Sequence, residues 1–200
     1  MFKLQPIPDG HIAAIVTHLE MHALPAALPA KPSPGLSLDR VHEPALDWYL
    51  PLFRRIGEEW LWFSRLVMRD ERLRAILDAP TTALYTLRED GQDIGMVELD
   101  WSGRPDCEIV FFGLTPEAFG GGRGAWMMAR TQEIAFGEGA KRLWLHTCTQ
   151  DHPNAVPFYL KHGFRAFKRE LETAPDPRLT GDVRADAAAF HPVIRPKRRG

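Results

Sequence analysis

Residues 108–128 read EIVFFGLTPEAFGGGRGAWMM. An apolar run, a cluster of glycines and a second apolar run follow one another directly. The first part, residues 107–114, is nearly all apolar after Glu108, which predicts a central strand covered on both faces. Residues 124–136 read as a helix with Trp126, Met127, Ile134 and Ala135 available for burial. Between them lie Gly120, Gly121, Gly122 and Gly124. Glycine permits φ > 0 and lets a ligand come close to the backbone. The N–H groups at a helix start, aided by the helix dipole, form an anion site. Strand, glycine turn and helix together therefore predict a pyrophosphate cradle. A dinucleotide fingerprint would also need an acid near the end of the next strand. Residues 141–147, the next strand, end in His146-Thr147 instead.

Working outward, residues 154–162 predict a short helix stopped at Gly163, and residues 164–171 a last strand. Asn154 suits an N-cap, which places Pro157 in the first turn, where its missing N–H does no harm. Upstream, residues 81–88 and 93–101 read as a hairpin about the turn Glu89-Asp90-Gly91. Pro44 opens a helical region with Leu46, Tyr49, Leu50, Phe53 and Ile56 at helical spacing. Gly57 interrupts it, and a second helix is expected over about 58–77. Residues 36–42 alternate as a strand, and residues 11–21 could be a first one. Pro25, Pro29, Pro32 and Pro34 make the stretch between them an extended connector. These features divide the chain into an N-terminal extension (1–35), a core domain (36–173) and an irregular C-terminal tail (174–200).

Composition bounds the function. In 200 residues, 44% are hydrophobic and 26% charged, with a net charge of −1. That suits one globular domain and argues against a large nucleic-acid surface. The basic cluster Arg195, Lys197, Arg198 and Arg199 reads as a solvated, frayed end. Cys107 and Cys148 are too few for a disulfide framework and lack zinc spacing, so no metal is expected. The start MFKLQPIPDGH lacks a signal-peptide core, and no stretch is long and apolar enough to span a membrane. A cytoplasmic location with no membrane partner is the expectation, and a homodimer is allowed.

Two landmarks carry a family resemblance. Phe119-Gly120-Gly121-Gly122-Arg123-Gly124 resembles the Q/R-x-x-G-x-G/A pyrophosphate loop of the GCN5-related N-acetyltransferases, with Gly122 and Gly124 matching. Phe119 stands where the family usually has Arg or Gln, and Arg123 is a candidate for the missing cation. Leu114-Thr115-Pro116-Glu117 resembles the family's V-x-P-E approach to that loop. Downstream, Ala155-Val156-Pro157-Phe158-Tyr159-Leu160-Lys161-His162-Gly163-Phe164 resembles A-x-x-F-Y-x-x-x-G-F. The resemblance is firm from about 107 to 167 and extends to residue 36. It implies a mixed α/β fold, a mostly antiparallel central sheet flanked by helices, and acetyl-CoA as co-substrate with an amine acceptor. It implies that the backbone at Leu114 pairs with the pantetheine arm, and that residues 119–124 hold the pyrophosphate.

The chemistry asks for three groups. A lysine-like amine of pKa about 10.4 is neutral in roughly one molecule in 2,500 at pH 7, a cost of about 4.6 kcal/mol. A base or water chain must remove that proton, a donor must meet the leaving thiolate, and another the carbonyl oxygen. Tyr159 matches the family's general acid; the alternative is a core tyrosine. Glu108 matches the general base of histone-acetylating members; the alternative is a cross-strand ion pair. Glu98 and Asp100 are rival bases. His146 and His152 flank the strand end where the cleft should open. Trp60, Trp62 and Arg65 start the segment expected to line the acceptor side, and the two tryptophans cannot share one helix face. The resulting expectation is a small-molecule amine acetyltransferase. A protein or peptide acetyltransferase and a non-catalytic acyl-CoA sensor are the alternatives.

Overall fold

The computed structural model describes residues 2, 4–29 and 31–196. Its strands are β1 (His11–Met21), β2 (Leu36–Val41), β3 (Thr82–Glu89), β4 (Gln92–Asp100), β5 (Asp106–Leu114), β6 (Arg142–Cys148) and β7 (Arg165–Pro175). They form one sheet in the order β2-β3-β4-β5-β6-β1-β7. Every neighbouring pair is antiparallel except β5 and β6, so the sheet is mixed and mostly antiparallel, as expected. The nearly continuous apolar run of β5 fits its place in the middle. The β3–β4 hairpin turns on Asp90 and Gly91, both at positive φ (50° and 80°), which matches the twist of the strands it joins.

The helices are α1 (Leu46–Gly57), α2 (Asp70–Leu77), α3 (Arg123–Gly137), α4 (Ala155–Lys161) and α5 (Pro177–Thr180). Strand parity divides the core. Leu84 and Met96 pack with Tyr49, Phe53 and Leu73 of α1 and α2. Their neighbours Tyr85 and Val97 point to the opposite face, into the core that holds Met127 and Met128 of α3 and Tyr159 of α4. Each large apolar side chain buried in these layers contributes roughly 1.5–3 kcal/mol.

One expected helix is absent. Residues 58–77 form a single 3-10 turn (Glu58–Trp60), an irregular run and only then α2. Leu61 adopts φ 55°, which ends the turn, and Arg69 is extended before α2 begins. The Trp62 N–H donates back to the Gly57 carbonyl at 3.0 Å. Tertiary packing overrides the local pattern here: the Trp62 ring packs on Phe53 and Phe111, with centroids 5.6 and 5.2 Å apart.

Residues outside the firm resemblance are built into the sheet and its surroundings. β1, from the segment grouped above as an N-terminal extension, lies between β6 and β7. Residues 174–196 run past α5, and Val183, Ala187 and Ala188 are buried with Leu61, against Ile12 and Phe63. A buried ion pair, Arg178–Asp176 at 2.8 Å, fixes this segment. Arg178 Nη1 also donates to the carbonyls of Ala187, Ala188 and His191. Of the C-terminal basic cluster, Lys197, Arg198 and Arg199 lie outside the described residues.

Candidate active site

β5 and β6 are paired only from Asp106↔Arg142 to Ile109↔Leu145. Beyond that point β5 stays with β4 and β6 stays with β1. The β4–β5 register shifts between Glu98 and Leu99, a bulge that bends β5 at the fork. The two strands therefore open into a cleft of about 720 Å³. Val110 to Leu114 form one wall, and His146 to Cys148 the other. Backbone groups on the β6-facing edge of β5 are left without a strand partner there, which suits an extended ligand arm.

The glycine loop closes one end of the cleft. Gly120, Gly121 and Gly122 take φ of 87°, 59° and 79°, values an L side chain adopts only with strain. Gly122 is the N-cap of α3, so the first-turn N–H groups are free of intrahelical partners. A Cβ added at Gly120 would meet nothing within 4 Å, so the loop backbone is open to a ligand. These residues fit the phosphates of a coenzyme. Arg123 is held at 2.8 Å by Glu89, so a carboxylate already matches its charge. The proline-rich connector returns to this loop. A Cβ on Gly122 would meet Pro32 at 3.8 Å, and Lys31 Nζ lies 5.9 Å from the Trp126 ring centroid. Phe119 is half-exposed, with its ring 5.6 Å from that of His152.

Tyr159 is buried in the wall of the cleft. Among the described residues its hydroxyl has no hydrogen-bond partner. Burial, and secondarily the Asp151 carboxylate, raise its phenol pKa well above the ordinary value, so it keeps its proton at neutral pH. Burial likewise pushes the Cys148 thiol in the same wall up to about 11.

Asp151 joins two walls of the cleft. Its Oδ2 accepts from Thr147 Oγ1 (2.6 Å) and from the Cys148 N–H (2.8 Å). Its Oδ1 accepts from Trp62 Nε1 (3.0 Å). The sequence reading gave this residue no site role. Its one local signal is an aspartate three residues past a strand end, the usual acceptor for a turn backbone.

The other candidates separate. Glu108 lies behind His146, off the cleft wall, and meets its Nδ1 at 3.2 Å. That hydrogen bond outweighs desolvation and raises the His146 pKa. His146 itself lines the cleft. Glu98 is 1% exposed and forms a buried ion pair with Arg65, while Tyr49 Oη donates to its second oxygen at 2.9 Å. Arg65 lines the cleft, and its Nε is buried without a partner among the described residues. Asp100 accepts from the Ser102 N–H and hydroxyl at 2.8 Å each, in the turn after β4. Trp60 and Trp62 both line the cleft, although not on one helix. Trp60 is 5.0 Å from the His152 ring and 6.1 Å from that of Phe190.

Residues 43–164 match the model of the acetyltransferase (GNAT) family, more than half of the chain. The chain belongs to the GNAT family. Solved structures share the GNAT fold at low identity. A GCN5-related N-acetyltransferase from Kribbella flavida is 18% identical with a TM-score of 0.53, over 84% of this chain and 60% of that one. The chain thus spans less than two thirds of that relative. A GNAT family acetyltransferase from Elizabethkingia anophelis with acetyl-CoA bound is 16% identical with a TM-score of 0.53, over 68% and 80%. An aminoglycoside acetyltransferase from an uncultured soil metagenomic sample, in complex with trehalose, is 17% identical with a TM-score of 0.53, over 64% and 87%. No curated protein matches the chain.

Proposed function

We propose that this GNAT protein transfers the acetyl group of acetyl-CoA directly to the amine of a small molecule. The observation that carries the reading is the fork after Ile109 and Leu145, with the glycine loop at its end and Tyr159 in its wall. The free edge of β5 at Leu114 receives the pantetheine arm, and residues 119–124 with the first turn of α3 receive the pyrophosphate. Acetyl-CoA supplies the activated thioester.

The chain supplies the proton transfers. With Nδ1–H directed at Glu108, His146 presents a lone pair on Nε2 and serves as the base. Glu108 is its positioning residue. His146 takes a proton from the bound ammonium, which frees the nitrogen lone pair for attack, and the second nitrogen proton leaves to solvent after the nitrogen–carbon bond forms. As the carbon–sulfur bond breaks, Tyr159 gives its proton to sulfur and recovers one from solvent. Both cysteines are held protonated by burial, Cys107 at about 12 and Cys148 at about 11, which supports direct attack over an acyl-cysteine intermediate. The aromatic rings of Trp60, His152 and Phe119 follow one another along the cleft, a wall suited to a small acceptor.

The test is calorimetric titration with acetyl-CoA beside an assay of thiol release across an amine panel. Binding with turnover supports the reading. Tight binding with no acceptor turned over would move the chain to a sensing role.

A further inference from the structure

The charged and titratable side chains of the cleft do not balance. Arg65 is matched by Glu98, and His146 by Glu108. His152 accepts the Asn154 N–H on Nδ1 at 3.1 Å. Tyr159 and Cys148 keep their protons. Asp151 and Glu172 remain, both in the lining of the cleft. Neither forms an ion pair among the described residues, although the field of both reaches the His146 imidazole.

Asp151 is held only by neutral donors: a hydroxyl, a backbone N–H and an indole N–H. These fix its orientation without cancelling its charge. Two of them use Oδ2 and one uses Oδ1, so Oδ1 keeps a lone pair for a further donor. Asp151 and Tyr159 both line the cleft, and the field of the carboxylate helps, after burial, to raise the phenol pKa. Glu172 sits on β7, opposite Ala14 of β1, at the outer side. A substrate carboxylate would meet both acids, and the guanidinium in the lining, Arg65, already has its charge matched by Glu98. In a partly enclosed site such charges are screened less than at an open surface.

We propose that the acceptor is a dication, an amine carrying a second positive charge. Asp151 receives the ammonium nearest Tyr159, and Glu172 faces the distal charge. The assignment of the near end rests on the acetyl-transfer reading; the charge selection does not.

The test separates the two. Putrescine, n-butylamine and γ-aminobutyrate have similar carbon chains and differ in charge. Each is titrated calorimetrically into the protein saturated with unacetylated coenzyme A, where no turnover occurs. Putrescine is expected to bind up to about fivefold tighter than butylamine, the scale of one favourable exposed charge pair, with γ-aminobutyrate weakest. Glu172→Gln should bring putrescine close to butylamine, and Asp151→Asn should weaken both amines. Glu172 is an exposed residue, so its variant tests the inference even if Asp151→Asn disturbs the loop. Equal binding of the three probes, or preference for γ-aminobutyrate, overturns the proposal. If the binding order holds but acetyl-CoA acetylates none of the amines, the enzymatic reading falls and the cation site stands.

Discussion

Glu108 and His146 form a carboxylate–imidazole pair at 3.2 Å, with only the imidazole reaching the cleft. The carboxylate favours the imidazolium, so the His146 pKa lies above the ordinary value of 6.5. If His146 is the base, its working form is the neutral one, and activity falls as pH drops through the raised pKa. Glu108→Gln keeps a hydrogen-bond partner and removes the charge. The acid limb of the kcat/KM profile should then move to lower pH, because the imidazole stays neutral further into acid. A limb that does not move would show that His146 is not the titrating group.

Gly122→Asp should remove coenzyme binding. Gly122 is at φ 79°, so a side chain is strained there by roughly 1 kcal/mol, and the carboxylate would repel phosphate at the N-cap of α3. Saturating acetyl-CoA should raise the Tm of the wild type and leave that of the variant nearly unchanged. Gly122→Ala separates strain from charge. It should lose stability but keep part of the coenzyme-dependent rise.

Tyr159→Phe removes one hydroxyl from a buried ring whose oxygen has no protein partner among the described residues. The fold and the coenzyme affinity should persist. If the phenol protonates the leaving thiolate, kcat should fall about 10²-fold or more, near 2.7 kcal/mol of transition-state stabilisation. Calorimetry for binding and thiol release for turnover read the two separately. Nearly full activity would reduce Tyr159 to a packing residue.

Arg178→Met should destabilise the chain more than a typical substitution. Arg178 and Asp176 side chains are each 2% exposed, so the variant leaves a buried carboxylate unpaired. The loss expected for such a break is about 3–5 kcal/mol, a fall in Tm of roughly 10 °C for a chain of this size. Arg178→Met with Asp176→Leu should recover most of it, since no lone charge remains. Differential scanning calorimetry of the single and double variants decides this. A single variant as stable as the wild type would mean that the pair does not hold the segment after β7.

What the sequence made legible was local. Three glycines before a helix permit the positive φ that the loop adopts, and Asp90-Gly91 favours its turn. Tyr159 sits at a fixed distance from Gly163 on one short helix. What stayed hidden depends on partners far along the chain. β1 pairs with β6 and β7 more than 120 residues away, as in Thr17↔Thr147 and Ala13↔Thr173, and no local pattern encodes such a pairing. Trp62 lies at helical spacing from its neighbours, yet Phe111 and Asp151 hold it in an irregular segment. Glu98 could be read from strand parity as buried, but its partner Arg65 lay in a stretch read as helix. Asp151 drew no attention because its role depends on Trp62.

The position of β1 also sets the order in which the sheet can be completed. Synthesised before every other strand of the sheet, β1 pairs with the last two, β6 and β7. Its buried residues Leu19 and Met21 must wait, exposed, until β6 and β7 have left the exit tunnel. The hairpins from β2 to β5 can form before that; the half of the sheet containing β6, β1 and β7 cannot. High sequence separation of this kind slows folding and prolongs the exposure of apolar strand edges. Burdens on synthesis, such as rare pauses or missing chaperones, should therefore be felt most by the half of the sheet that carries His146 and the cleft's second wall.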